Sequence, residues 1–383
     1  MFRKFIFLIT IFISPSLFAF SIVKTEDFSL SLKGYYKNLS LASRETINGD
    51  PYFGNLNRLR LDFDSQFLKY FSVKLIWDNE WIGGDWVNTL EFDTRQALRD
   101  SEFFNLNWPL VEKKNFYYQQ DLYRVYLKFD PGFLSLIFGR QKIDWGAAHL
   151  FSPSDLFTPL TLFDVEKEEK LGVDAANLLI PIGSSAKLNL IYTVQDDIDK
   201  SRTALRFTKT VKHFDVSVYG GRFLQDVIFG ADTSGEIGGM GIRGEVSYNV
   251  AEYGPNFAQL ALEVDYGFAN SFYVLGGYFY NGQAPNQQIP FFNFLNNSAQ
   301  PIQTQYQHFL DTQLSYDITP LWKTNLVIVY DLLGTSFFIN PEMSYSVTSW
   351  FDLSGGAQLA AGRSQGEFGQ LRNLYYLEAR LSF

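Results

Sequence analysis

Segments of about ten residues in this chain alternate strictly between apolar and polar side chains. Leu59, Leu61 and Phe63 alternate with Arg58, Arg60, Asp62 and Asp64, and Phe71, Val73, Leu75 and Trp77 with Ser72, Lys74, Ile76 and Asp78. Tyr123, Val125, Leu127 and Phe129 alternate with Arg124, Tyr126 and Lys128, and Leu260, Leu262, Val264, Tyr266 and Phe268 with Gln259, Glu263, Asp265 and Gly267. A period of two puts one apolar and one polar face on each strand. A soluble sandwich also shows that period. Here the apolar face is rich in aromatics near strand ends, the length suits a tilted crossing of a bilayer, and the polar face carries charge of both signs. Together they predict an all-β, antiparallel, up-and-down transmembrane barrel.

Composition narrows the class further. The 38 Phe, 22 Tyr and 7 Trp make 17% of the chain, with no cysteine. That excludes a disulfide scaffold and thiolate metal sites, and an aromatic-rich, charge-poor chain is not a disordered one. Met1–Lys4 is basic, Phe5–Ile13 is apolar except for Thr10, and Ser14-Pro15-Ser16 with Leu17-Phe18-Ala19 gives a break and a small residue. This is the layout of a signal peptide, expected at 1–19 with cleavage after Ala19. The domain that remains, 20–383, loses Arg3 and Lys4. It keeps 30 of the 32 basic residues against 41 acidic ones, a net charge of −11. An acidic balance without a basic footprint excludes a nucleic-acid partner.

Eighteen strands are expected, at 28–40, 56–67, 70–81, 121–130, 133–145, 169–180, 186–195, 202–211, 214–224, 226–233, 237–249, 257–268, 271–281, 305–318, 321–333, 336–348, 350–361 and 373–383. Short links such as Leu68-Lys69, Pro131-Gly132, Lys212-His213 and Ala269-Asn270 then fall on one side. The long links 82–120, 146–168 and 282–304 fall on the other. The segment 226–233 is the weakest, and parity supports it; sixteen strands is the alternative count. The last strand puts Tyr375, Leu377, Ala379, Leu381 and Phe383 on one face, with an aromatic as final residue. It resembles the strand by which barrel-assembly machinery recognises bacterial outer-membrane barrels, so Phe383 is expected to be an assembly signal.

The stretch Gly139-Arg140-Gln141-Lys142-Ile143-Asp144-Trp145-Gly146, followed by Phe151-Ser152-Pro153-Ser154-Asp155-Leu156-Phe157 and Pro159, resembles the GRQ…WG…PxDLF motif of large outer-membrane porins, including the alginate-export barrels. Gly241–Glu245, Asp265–Phe268 and Tyr278–Gly282 add similar pieces in matching order. The resemblance implies a barrel and transport, without a particular solute. On the residues alone, the apolar Leu150, Phe151, Leu156, Phe157, Leu160, Leu162 and Phe163 need burial. Inward folding of the outer loop 146–168 would supply it; packing over neighbouring loops as a lid is the alternative. Arg140, Lys142 and Asp144 are placed inward, by a bulge near Gly139 or by a lipid face of Phe133, Ile137, Ile143 and Trp145, as a salt-bridge ladder or as solute contacts. With Asp155, Arg58, Arg60, Asp62, Arg124, Lys128, Arg243 and Glu245 they are the candidates for the pore and its constriction. Asp164, Glu166, Glu168 and Glu169 read as solvated rim charge, with a cation site as the alternative. Residues 88–104 suggest a short amphipathic helix capping the pore, with Leu90, Ala97, Leu98 and Phe104 partly aligned.

Catalysis is not expected. His149, Ser152 and Asp155 are too close in sequence for the usual triad, and Ser152 lacks a Gly-x-Ser-x-Gly elbow. No metal-ligand spacing is present, and no cofactor is implied. The leading function is an outer-membrane channel for small hydrophilic solutes or ions, with outer-membrane lipid and the assembly machinery as partners and a homo-oligomer left open. A polysaccharide export conduit and a structural barrel around a partner protein are the alternatives.

Overall fold

The computed structural model describes residues 20–25, 28–46, 48–99, 102–158, 165–166, 170–195, 200–288 and 302–383. The proposed leader 1–19 lies outside them, as do Pro159, Leu160, Leu162, Phe163, Asp164, Glu168 and Glu169. The strands are β1 (Phe20–Lys24), β2 (Phe28–Arg44), β3 (Pro51–Phe67), β4 (Phe71–Gly83), β5 (Asn107–Lys113), β6 (Phe116–Phe129), β7 (Ser135–Gln141), β8 (Val173–Ile182), β9 (Ala186–Thr193) and β10 (Arg202–Val211). They continue as β11 (Phe214–Phe223), β12 (Asp226–Ile237), β13 (Met240–Val250), β14 (Phe257–Gly267), β15 (Phe272–Asn281), β16 (His308–Asp317), β17 (Trp322–Asp331), β18 (Ser336–Thr348), β19 (Phe351–Gly362) and β20 (Leu374–Ser382).

Each strand pairs antiparallel with its neighbour in sequence, except that β4 pairs with β6, and β2 pairs with both β3 and β20. The wall is therefore a closed barrel of eighteen strands, the expected number, and closure leaves no sheet edge to protect. The segment 226–233 is part of β12, paired on both sides. β1 and β5 are additional. β1 lies beside the start of β2 beyond the end of β20. β5 pairs with the first half of β6, beyond the point where β7 stops. Several tight links use a left-handed residue: Lys212 and Leu224 in the two-residue hairpins after β10 and β11, and Leu68 and Ser271 in three-residue ones.

Outward positions stay exposed and apolar, as at Leu136, Phe138, Leu190, Leu205, Val218, Phe229, Val246, Leu262, Leu310 and Leu353. Inward positions are buried and largely polar: Lys37, Arg58, Asp78, Glu80, Gln119, Glu245, Gln259 and Asn340. A barrel of this size is too wide for wall side chains to fill it. Two chain segments fold into it instead. One carries a 3₁₀ turn (Asp85–Asn88) and helix α1 (Leu90–Arg99). The other is residues 142–158.

Two irregularities position them. The β4–β6 register slips between Ile76 and Trp77, so Tyr123 is an extra residue, and it and Arg124 are both buried. Gly139 has φ +124°, and a Cβ there would stand 2.3 Å from the Val125 carbonyl oxygen. The register runs through Gly139 without a slip, and the strand ends at Gln141. The expected bulge near Gly139 is therefore replaced by a left-handed glycine followed by departure of the chain from the wall.

Candidate pore constriction

The segment leaving β7 keeps a two-residue alternation for a few residues. Ile143 and Trp145 turn to the inner wall and are buried with Val173, Ala175, Ile191, Ala204, Tyr219 and Phe223, together with Leu156 and Phe157. Trp145 packs edge-to-face on Phe157, and its indole N–H donates to Asn189 at 2.9 Å. Lys142 and Asp144 point the other way, with side chains 44% and 46% exposed and paired at 2.9 Å. Further along, Phe151 stacks on Phe279 at 4.6 Å and lies against Phe309. Phe151, Leu156 and Phe157 are thus buried against the inner face and Leu150 is partly buried beside them, as inward folding requires.

Two wall carboxylates grip its backbone. Glu245 accepts hydrogen bonds from the amides of Ala147 (2.6 Å), Ala148 (2.5 Å) and Ser154 (2.9 Å) and from the hydroxyls of Ser152 and Ser154. Glu263, on the adjacent strand, accepts the His149 amide at 2.8 Å and meets His149 Nδ1 at 2.9 Å. Ser152 and His149 are thus each engaged by a different carboxylate. Lys170 holds Asp155 at 2.6 Å and Asp144 at 2.8 Å. Burial pushes the Asp155 carboxyl up to about 6 despite the pull of Lys170.

Helix α1 begins at a cap: Thr89 Oγ1 accepts the Phe92 amide at 3.3 Å, with Glu91 and Asp93 in the first turn and Arg99 in the last. Its anchor is Phe92, wedged between Trp86 and Tyr117 above Leu39, Leu41, Leu56 and Tyr376. The sequence had aligned Leu90, Ala97, Leu98 and Phe104. Ala97 and Phe104 are exposed, and Phe104 lies beyond the helix. Arg95 and Arg99, one turn apart, reach down to Glu80 on β4 at 3.2 and 2.9 Å. Glu80 also takes Arg58 Nε at 2.6 Å and the Gln119 amide at 2.8 Å. Arg60 forks onto Asp78 and stacks on Tyr123, 4.1 Å from its centroid. Arg124 and Tyr123 both donate to the Lys170 carbonyl.

Glu166 enters this cluster. It takes Arg58 Nη1 at 2.7 Å and Nη2 at 3.1 Å, and it bonds Lys37 and Arg95. Its side chain is only 14% exposed, so it is not the solvated rim charge expected from sequence. Burial acts to raise its carboxyl, but Arg58, Lys37 and Arg95 together hold it well below the usual carboxylate range.

The remaining candidates scatter. Arg140 is buried. It forks onto Asp174 at 2.9 and 2.8 Å and donates to the Phe104 carbonyl, so residues 102–104 cover it. It does not stand beside Lys142 and Asp144 as an exposed charge. Asp62 shares Lys74 with Asp64, and Lys128 pairs with Asp130 beside the turn after β6. Arg243 pairs with Asp265 on the next strand. Phe383 exchanges backbone hydrogen bonds with Gly34 at 2.8 and 2.9 Å. The sequence reading missed Glu80, Lys37, Arg95 and Arg99. Glu80 sits two residues after Asp78 in the same alternation, and Arg95 and Arg99 are spaced four apart, so both signals were present. Among the described residues no group of three His, Cys, Asp or Glu stands together as metal ligands.

No protein-family model matches the chain, and no curated protein does. Solved structures do match. OccAB1 of Acinetobacter baumannii aligns with TM-score 0.59 at 9% identity, over 92% of this chain and 96% of that one. OccAB4 of the same organism aligns with TM-score 0.58 at 10% identity, over 94% and 98%. The outer membrane protein OprD from Pseudomonas aeruginosa aligns with TM-score 0.56 at 10% identity, over 92% and 93%. At such identities the likeness is one of fold.

Proposed function

We propose that the chain is an outer-membrane channel through which small hydrophilic solutes or ions diffuse, performing transport and no catalysis. One observation carries this reading. Inside a closed ring of eighteen strands, the in-folded loop presents Lys142, Asp144 and His149 with side chains 44%, 46% and 40% exposed, so water reaches the narrowed interior. A packed scaffold would bury such groups. The apolar outward face suits lipid, and the fold is shared with OprD, an outer membrane protein. Removal of residues 1–19 during export, and insertion by the assembly machinery through the strand ending at Phe383, complete the reading.

The loop sets the bore. Two carboxylates fix its path, and its inward charges act on ions more strongly there than in bulk water, because the loop displaces water. Planar-bilayer recording of the purified protein tests the proposal: discrete conductance steps are expected, and a barrel that inserts without conducting would make it a scaffold. The likeness of 139–159 to alginate-export barrels favours a polysaccharide conduit as second reading. Block of the current by long uronate chains, but not by small sugars, would decide for it.

A further inference from the structure

The outer wall carries a groove that transport through the lumen does not use. It runs between the short turns that follow β10 and β12, has a volume of about 530 Å³, and is lined on its apolar side by Val211, Phe214, Val216, Thr233 and Ile237. Gly235 pairs with Phe214, and a Cβ at Gly235 would stand 2.4 Å from the Phe214 ring, so the missing side chain lets that ring lie against the wall as a floor. Val211, Val216 and Ile237 are exposed, as side chains turned to lipid are.

Charge is sorted across the wall at this point. Lys209 has the outward parity of exposed Leu205 and Phe207 and pairs across with Val216 at the edge of the groove. Lys212 and His213 form the turn at its end and line it. All three are exposed, and none has a side-chain partner among the described residues. The acids of the two hairpins have the other parity. Asp215 accepts the Thr210 hydroxyl at 2.6 Å and shares the face of buried Ser217, while Glu236, at the rim of the groove, shares that of buried Asp232. A lysine on a lipid-facing strand is tolerated where its long stem lets the ammonium reach the interface. Short turns mark the periplasmic end of an outer-membrane barrel. Lys212 and His213 therefore stand at the headgroup level of the inner leaflet, Lys209 reaches toward it, and Val216 and Thr233 lie on the acyl side. Cationic donors at one end and apolar wall at the other match the two halves of a phospholipid, and the pair of lysines favours an anionic one.

We propose that this groove binds one anionic phospholipid of the inner leaflet, its phosphate held by Lys209, Lys212 and His213 and an acyl chain lying over Val211, Phe214 and Val216. Native mass spectrometry of the detergent-purified barrel, titrated with phosphatidylglycerol, tests it. One lipid should be retained per chain, severalfold more than phosphatidylcholine with the same acyl chains, and soluble glycerol phosphate should not be retained. Lys209→Gln combined with Lys212→Asn should lower retention severalfold; Asn suits the left-handed backbone at 212. Val216→Trp, which fills the groove and leaves the cations in place, should lower it as well. Lys69→Gln, which removes a cation beside Tyr70 at another short turn, should leave it unchanged. Wild-type retention in the double variant, an equal loss in Lys69→Gln, no preference for phosphatidylglycerol, or retention of glycerol phosphate overturns the assignment. A dimer of barrels that forms without lipid and is broken by Val216→Trp also overturns it, because the groove is then an interface between copies. All comparisons use the folded, heat-modifiable fraction, and the outcome is independent of whether the barrel conducts, since the groove lies outside the wall.

Discussion

At the scale of single residues, charge type says little until its partner is known. Arg140 and Lys142 are neighbours in one motif, yet Arg140 is buried on Asp174 and Lys142 is half exposed beside Asp144. Breaking a buried pair from one side costs about 3–5 kcal/mol. Arg140→Gln is therefore expected to lower the temperature at which the folded, fast-migrating form is lost on electrophoresis, with the reversal potential unmoved. Lys142→Gln should do the opposite, shifting preference toward cations at unchanged stability. Asp155 adds a pH dependence. Its carboxyl, lifted to about 6 by burial, binds its proton more tightly folded than unfolded. Its contribution is fully present below the unfolded value near 4 and is lost as pH rises through about 6. Amide exchange at Asp155 and Leu156, corrected for intrinsic rate, should show more protection at pH 4.5 than at pH 7. Asp155→Asn should flatten that difference. The Phe383 ring packs on Gly34, where a Cβ would stand 2.7 Å from the ring and 2.4 Å from the Arg60 carbonyl oxygen. Phe383→Asp and Gly34→Val should both reduce the amount of assembled barrel, and normal levels for both would remove Phe383 from the assembly step.

At the scale of elements, the in-folded loop is held by anchors of two kinds. The apolar kind, Trp145, Phe151, Leu156 and Phe157, was legible as a need for burial, since an aqueous exterior supplies none. The polar kind was not: Glu245 lies about a hundred residues downstream, and only closure of the barrel brings β13 beneath residues 147–154. Hydrogen bonds to a charged acceptor contribute roughly 1.5–3 kcal/mol each, so Glu245→Ala should free the loop locally while the wall stays folded. Larger and noisier conductance is expected, approaching that of a deletion of residues 150–162. Wild-type conductance in both variants would mean that the bore is set elsewhere, α1 being the next element to alter.

At the scale of the whole molecule, the purified protein should show a β-type circular-dichroism spectrum and heat-modifiable migration; a helical spectrum would contradict the fold. The strand count, the alternation of faces and the side on which long links lie were all readable from local pattern. A strand's period of two is a property of its own backbone, and an up-and-down barrel pairs each strand with its sequence neighbour. The same locality explains the misreadings. A bulge near Gly139 was one of two expected routes, but the register runs through a left-handed Gly139 and β7 ends at Gln141. Glu166 read as rim charge because its partners, Lys37, Arg58 and Arg95, are distant in sequence. The one-dimensional pattern by itself determined the wall. Only the tertiary structure decided what fills it, because the in-folded segments are fixed by single side chains from remote strands, and an isolated carboxylate or arginine carries no periodic signal.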